Sequence, residues 1–304
     1  MRVFLTGGSG FVGSNLAAVF AAAGDELLAP PHAQLDVTEA TAVDAVVAEF
    51  APDAIVHCAI LNDFEALDSR PREAWAAYVG STRALSEAAN RAGAQLVLVS
   101  TDWVFDGTQG GADEATPPRP INSYGHLKAT SEEVVTEHAQ AGAIARLSGA
   151  NGVHRARPET PRRQDVGFGY FVSSIVEALE AGRPFTVWES PAINSVASPV
   201  LATSAAELIH SIVERRLTGI YHCCGGEPID RRSLALRTAA AFGLDAGLLE
   251  FGSPPAAALA PGPIPYDTSL SGPATEAALG LRLPGIDELL GGLRAELGHE
   301  RSVV

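Results

Sequence analysis

The sequence predicts an α/β fold, a doubly wound parallel sheet with a smaller C-terminal α/β unit. Three observations predict it. Short apolar runs recur through the first half, at Val3-Phe4-Leu5, Ala54 to Cys58, Gln95 to Val99 and Ala143 to Leu147. Runs this continuous suit strands covered on both faces. A helical pattern separates each run from the next, and the first run ends in glycines.

The elements follow in order. After Val3-Phe4-Leu5, Phe11 to Ala23 reads as a helix stopped by Gly24. Glu26 to Ala29 is a short strand halted by Pro30 and Pro31. Thr38 to Phe50 is helical, with Thr38 able to cap it and Val43, Val46, Val47 and Phe50 at helix spacing. Glu73 to Arg91 reads as one helix closed by Gly93, and Tyr124 to His138 as another. After about residue 150 the rhythm breaks. A polar loop, His154 to Arg163, precedes helices at Phe168 to Ala181, Thr203 to Arg215 and Arg231 to Phe242, with short strands at Phe185-Thr186-Val187 and Ile220-Tyr221-His222. The division expected is 1–150 and 151–304, with some later segments free to return to the first unit. Gly252 to Pro265, rich in Pro and Ala, reads as a loop.

Composition narrows the function classes. The 304 residues are 46% hydrophobic and 19% charged, enough for a sizeable core. A net charge of −15 disfavours nucleic acid and anionic membrane as partners. Cys58, Cys223 and Cys224 offer neither a disulfide framework nor a metal-site spacing, and the neighbours Cys223 and Cys224 would face opposite sides of a strand. The start, MRVFLTGGSGFVG, lacks the pattern of a secretory leader, and no run of about 18 apolar residues occurs. A reduced, cytoplasmic setting is expected.

The stretch TGGSGFVG places Gly7, Gly10 and Gly13 between the first strand and the first helix. One glycine serves the tight turn, one lets the main chain approach a pyrophosphate, and one permits close helix–strand packing. The helix start then offers free N–H groups and a positive dipole to phosphate. That context favours a Rossmann-like nucleotide site over a plain tight turn, and the G-x-x-G-x-x-G spacing resembles that of the extended short-chain dehydrogenase/reductases, which implies a nicotinamide dinucleotide. Ala29-Pro30-Pro31-His32, after the second strand, supplies neither a carboxylate to exclude a 2′-phosphate nor an arginine to invite one. NADP(H) is favoured and NAD(H) stays open. Asp36, beside Val37, can face the adenine ring or begin the helix after it.

Tyr124 and Lys128 lie four apart on a helix, and so share a face. A free tyrosine titrates near pH ~10. A neighbouring ammonium favours the phenolate and makes the phenol a usable acid for an alkoxide formed by hydride delivery. Lys128 can also hold the ribose of the nicotinamide. Ser100 and Thr101 end the Gln95 strand, where ligands bind in open α/β sheets, and a hydroxyl there can steady a substrate carbonyl against Tyr124.

At these residues the chain resembles the extended short-chain dehydrogenase/reductases, and within them the dTDP-4-dehydrorhamnose reductases. Ser100-Thr101-Asp102-Trp103-Val104-Phe105-Asp106-Gly107 is similar to that family's STDYVFDG. Pro120-x-Asn122-x-Tyr124-Gly125-x-x-Lys128 matches its P-x-N-x-Y-G-x-x-K. Val56-His57-Cys58-Ala59 and Gly219-Ile220-Tyr221-His222 with Gly225-Gly226-Glu227 extend the likeness to about residue 295. The resemblance implies NAD(P)H-dependent reduction of a nucleotide-linked 4-keto-6-deoxy sugar, with Thr101, Tyr124 and Lys128 as the catalytic set. It implies a cofactor site lined by Gly7, Ser9, Gly10, Phe11, Val12, Gly13, Asp36, Val37, Cys58 and Ala59, with Tyr124 and Lys128 at its reactive end. Asp102, Trp103 and Asn122 would border the substrate, and a homodimer is compatible.

Departures from the family pattern bear on the sugar. Trp103 stands where a tyrosine is usual, Tyr78 where many relatives have an asparagine, and Ile264-Pro265-Tyr266-Asp267 where an arginine–proline pair is common. Two other readings share the fold. Sugar-nucleotide epimerases and dehydratases use it, but a dehydratase needs a glutamate where Trp103 stands. The regulatory beta subunits of methionine adenosyltransferase also resemble this chain, and they bind a partner instead of catalysing reduction.

Arg155, Arg157, Arg162 and Arg163 form a basic cluster in an acidic chain, and Arg162 and Arg163 are candidates to clamp the substrate diphosphate. The competing reading is a solvated loop. His57 is expected as a satisfied core or cofactor-lining residue, and His126 points off the tyrosine face. Trp188 and Glu189 can border the base or sugar, with structural packing the favoured reading. Glu132-Glu133 and Asp113-Glu114 are expected on the solvated surface.

Overall fold

The structure is a computed structural model that describes residues 1–159, 163–260 and 262–298. The first half runs β1 (Arg2–Thr6), α1 (Phe11–Ala22), β2 (Glu26–Leu28), α2 (Ala40–Phe50), β3 (Ala54–His57), α3 (Phe64–Ser69), α4 (Pro71–Trp75), a π-helical turn (Ala76–Gly80), α5 (Ser81–Ala92), β4 (Gln95–Thr101), α6 (Ser123–His138) and β5 (Gly142–Leu147). The second runs β6 (Ala150–Asn151), α7 (Phe171–Glu180), β7 (Phe185–Trp188), β8 (Val196–Ala197), β9 (Val200–Leu201), α8 (Ala202–Glu214), β10 (Gly219–His222), β11 (Ile229–Asp230), α9 (Arg231–Phe242), β12 (Leu249–Gly252), α10 (Pro273–Leu279) and α11 (Ile286–Glu296).

The central sheet has the order β2-β1-β3-β4-β5-β10, parallel throughout. Alternating strand residues feed two cores. Val3, Leu5, Val56, Val97 and Val99 pack with Leu16 and Phe20 of α1 and Ile209 and Ile212 of α8. Phe4, Ile55, Leu96, Leu98 and Ile144 pack with Val43 and Val47 of α2, Leu85 of α5 and Val135 of α6. The doubly wound sheet expected from the sequence is therefore present. Strand β10 and helix α8, both beyond residue 150, belong to this sheet and its cover. A further core joins α7, α9 and α11 to β7 and β12, which pair in parallel. No helix among the described residues is long and apolar enough to cross a membrane.

Local chemistry moves several boundaries. Thr38 caps nothing. Its N–H and hydroxyl both donate to Asp36 Oδ1, at 2.9 and 2.8 Å, and the helix begins at Ala40. Helix α7 starts at Phe171, not Phe168, because Tyr170 takes a left-handed φ of 59° and Asn151 Oδ1 accepts from Val172 N–H. The single helix expected over Glu73 to Arg91 is broken by the π turn. There the Ser81 and Thr82 hydroxyls take the carbonyls of Ala77 and Tyr78, at 2.7 and 2.6 Å. Cys223 and Cys224 follow the end of β10 and are buried in one core, not on opposite faces. The loop expected over Gly252 to Pro265 carries one short helical turn, Ala256–Ala258.

Two surface assignments are overturned. Glu132 is buried and bonds Arg146 in two-pronged fashion, with Nη2 to Oε2 at 2.7 Å and Nε to Oε1 at 3.0 Å. Glu114 is buried and accepts from the N–H and hydroxyl of Thr275. Alternation and spacing do not show that an arginine and a helix start stand opposite these carboxylates. Glu133 is exposed, as expected.

Candidate active site

The glycine turn is built by contact. Gly7 has φ +74°, and a Cβ there would lie 2.6 Å from the Ala59 nitrogen on the loop after β3. A Cβ at Gly13 would lie 2.0 Å from the Gly7 carbonyl oxygen. Gly10 caps α1 without a side-chain bond, and the first turn carries no acidic residue. The first-turn amides of Phe11 and Val12 therefore point out of the helix start without an intrahelical acceptor. Cys58 closes the floor of the turn, its thiol pushed up to about 11 by burial and taking a hydrogen bond from the Gly13 N–H. Asp36 and Val37 are half-buried beyond β2, where Thr38 holds the Asp36 carboxylate below its usual range.

A loop from the second half covers this turn. Phe11 packs on Tyr170 at 4.5 Å and on His154 at 6.0 Å between ring centroids. Arg155 is not a free clamp. It donates to Asn15 of α1 at 2.9 Å and to Thr203 and Glu296 at 3.2 Å. Arg157 donates to the Ser9 carbonyl at 3.3 Å, on the glycine turn. Arg163 is exposed, and Arg162 lies outside the described residues.

At the other end of the cleft, Tyr124 is the second residue of α6. Asn122 caps that helix, accepting from Gly125 N–H at 2.8 Å and donating to the Pro263 carbonyl at 3.0 Å. Expected against the substrate, Asn122 has its side chain committed to the helix start and the 263 loop. The Tyr124 hydroxyl bonds the Thr101 hydroxyl. Thr101 in turn donates to Asp102 Oδ1 at 3.1 Å, and Ser148 and Thr268 donate to Asp102 Oδ2 at 2.8 and 2.5 Å. Asp102 was also expected against the substrate. Its carboxylate is buried behind Thr101, raised to about 6 by that burial, and anchors the threonine. Ser100 is likewise turned inward, its hydroxyl on Glu132 at 2.5 Å.

Lys128 is buried, and its Nζ donates to the Val99 carbonyl at 2.8 Å. Burial lowers its amine to about 8. The sequence expectation was a phenol lowered by this amine. The net effect on Tyr124 is upward, because burial outweighs the hydrogen bond shared with Thr101. Aromatic rings supply that burial: Phe64, Tyr78 and Trp103 stand edge-on to Tyr124 at 5.6, 6.1 and 5.9 Å. Trp103 also packs with Val166, Ile193, Ile264 and Trp188, so Trp188 is a packing residue as expected, and Glu189 pairs with Arg232 at 2.8 Å. His57 is neutral in the core. Its Nδ1 meets Thr6 Oγ1 at 2.8 Å and its Nε2 meets Ser81 Oγ at 3.2 Å, and burial lowers it to about 3. His126 is exposed.

Phe64 has no motif to mark it, because an exposed aromatic in a short polar segment carries no periodicity. Lys128, which the helix spacing does mark, has a second signal: it is the one lysine in a chain with twenty arginines. An arginine keeps its charge everywhere, whereas a lysine amine can be tuned by burial.

A glycine-opened helix start, with a Thr–Tyr–Lys set at the strand ends of a doubly wound sheet, defines an extended short-chain dehydrogenase/reductase. The chain belongs to the family described as the RmlD substrate binding domain, whose model matches residues 1–291. Over 306 residues it is 26% identical to a probable low-salt glycan biosynthesis reductase of Haloferax volcanii, covering 97% of this chain and 98% of that one. It is also 26% identical, over 257 residues, to the methionine adenosyltransferase 2 subunit beta of Rattus norvegicus, covering 80% and 72%. Its fold is similar to a Bacillus anthracis dTDP-4-dehydrorhamnose reductase solved in complex with NADP, with a TM-score of 0.83, 23% identity, and 97% and 99% coverage.

Proposed function

We propose that the chain reduces the 4-keto group of a nucleotide-activated, dTDP-linked 4-keto-6-deoxy sugar, with NADPH or NADH as the reductant. The observation that carries this reading is the hydrogen-bonded chain Tyr124–Thr101–Asp102, with Lys128 one helical turn beyond Tyr124. The donor set fits a dinucleotide: free first-turn amides at Phe11 and Val12, a turn that no Cβ could enter at Gly7, and no acid in that helix turn. When bound, the reduced nicotinamide supplies a hydride to the carbonyl carbon.

The chain's own residues do the rest. Thr101, held in place by Asp102, turns its one hydroxyl proton from Asp102 Oδ1 to the carbonyl oxygen when substrate binds beside Tyr124. The raised phenol stays protonated across the neutral range, as an acid must before it acts. A secondary alkoxide is a stronger base than a phenolate, so the proton passes from Tyr124 to the new alkoxide. Lys128 offers positive charge to the phenolate left behind and donors to the ribose. Trp103, Phe64 and Ile264 give the sugar an apolar wall, which suits a deoxygenated ring.

With NADPH and a dTDP-4-keto-6-deoxyhexose, loss of the reduced cofactor's absorbance should report turnover. Tyr124→Phe is expected to lower kcat by about 100-fold or more. Tight binding to a methionine adenosyltransferase, with no turnover on any keto sugar, would instead support the regulatory role of the rat relative. Arg162 and Arg163 remain our proposed diphosphate contacts. Replacing both by alanine should raise KM for the sugar nucleotide about 10-fold with kcat unchanged, in keeping with the loss of charge-assisted bonds. An unchanged KM would refute the clamp. A homodimer in the cytoplasm is the setting we propose.

A further inference from the structure

The π turn Ala76–Gly80 interrupts a helix that would otherwise run from residue 71 to 92. Such insertions add a residue to one turn and re-aim the side chains there, and they gather at functional sites. This one is pinned. The Ser81 hydroxyl bonds both the Ala77 carbonyl and His57, and His57 bonds Thr6 at the start of the glycine turn. The side chain it delivers is Tyr78, buried, with its ring 5.6 Å from Lys128 Nζ and edge-on to Tyr124.

The phenol of Tyr78 does not serve the lysine, because its hydroxyl donates away, to the Leu61 carbonyl at 3.1 Å. The ring is what Lys128 meets. Of the ionisable groups around that ammonium only the Glu132 carboxylate carries a counter-charge, and it acts from a distance without a bond to Lys128. Cys58 is held as a neutral thiol and His57 as a neutral imidazole. Tyr124, on the same helix, is a neutral phenol. Glu132, one turn further along α6, is committed to Arg146 and Ser100. The ammonium's hydrogen bond goes to a backbone carbonyl, its carboxylate neighbour is bonded elsewhere, and the negative face of an aromatic ring within about 6 Å attracts it.

We propose that Tyr78 is a positioning residue for the proton transfer: the face of its ring keeps the Lys128 ammonium charged and fixed behind Tyr124. This deepens the reductase reading and rests on it for the role of Lys128, while the contact between ring and ammonium stands without it.

The single lysine makes a direct test possible. Protein labelled with ¹³C at lysine Cε gives one resonance, and its pH titration reads Lys128 in the purified chain, with no substrate or cofactor added. The native midpoint is expected near pH 8. Tyr78→Phe, which keeps the ring, should leave it in place. Tyr78→Leu should lower it by about one unit, so that at pH 8 the charged share falls from about half to about a tenth. Should Tyr78→Leu fail to fold, Tyr78→Met replaces it as the ringless variant, with thermal unfolding as the check. A midpoint unmoved by loss of the ring overturns the proposal, as does a Tyr78→Phe shift as large as that of Tyr78→Leu. The reduction assay separates the two ideas. Ring-dependent titration without turnover sinks only the reaction assigned above, and turnover with ring-independent titration sinks only the role of Tyr78.

Discussion

Lys128→Met is expected to abolish the reduction and to stabilise the protein at pH 7 by roughly 2 kcal/mol. The argument starts from the folded amine, which titrates at about 8 against an ordinary 10.5. Between those values the unfolded chain holds a proton that the folded chain has lost. Relative to a neutral side chain, the full penalty is present below pH 8 and disappears as the pH rises through 10.5. The gap is worth about 3 kcal/mol. Methionine fills the same channel without charge, but leaves the Val99 carbonyl without its Nζ donor, which returns about 1 kcal/mol. Thermal or denaturant unfolding should therefore favour the variant at pH 7, and the advantage should shrink steadily toward pH 10. A variant less stable at pH 7, or a difference that ignores pH, would mean the buried charge is fully compensated. A residue that destabilises the fold at working pH is one a packing argument cannot explain, and its retention points to the chemistry.

The sheet was legible because its strands are short apolar runs and its helices carry one apolar face each, patterns that depend only on neighbours along the chain. The glycine turn was legible for a similar reason, since three glycines between a strand and a helix leave few other uses. Tyr124 and Lys128 share a helix face by spacing alone. What the sequence hid were pairings across the fold. Asp102 looks like a polar residue in a substrate loop, and only the approach of Ser148 and Thr268 shows that it faces inward. Asn122 looks like a sugar contact until its cap on α6 is seen. The π turn leaves almost no trace in periodicity, because Ser81 and Thr82 suit an ordinary helix as well as they suit a widened one.

The boldest of these hidden pairs is Glu132 with Arg146, read as solvated carboxylate and anonymous strand residue. Arg146 is fully buried on β5, Glu132 nearly so on α6, and the Ser100 hydroxyl at the end of β4 shares the same carboxylate. Three elements thus meet at one ion pair, directly beside Thr101. Glu132→Ala is expected to cost about 3–5 kcal/mol in an unfolding titration, because it strands a guanidinium where water cannot reach it. His222, 3.4 Å from that guanidinium, cannot replace the carboxylate, since an imidazole is neutral or positive and never supplies a negative charge. Replacing both partners together, as Glu132→Leu with Arg146→Met, should recover most of the stability, because the desolvation of two charges roughly cancels their attraction. Turnover separates the pair's two roles. If it serves only to fill space, the double variant regains activity along with stability. If it holds the end of β4 in register with α6, the double variant folds well yet stays slow, since Ser100 has lost its acceptor and Thr101 its fixed distance to Tyr124. We expect the second result. A single variant that loses less than about 1 kcal/mol would show that the pair is reached by solvent and that the alignment of Thr101 is secured elsewhere.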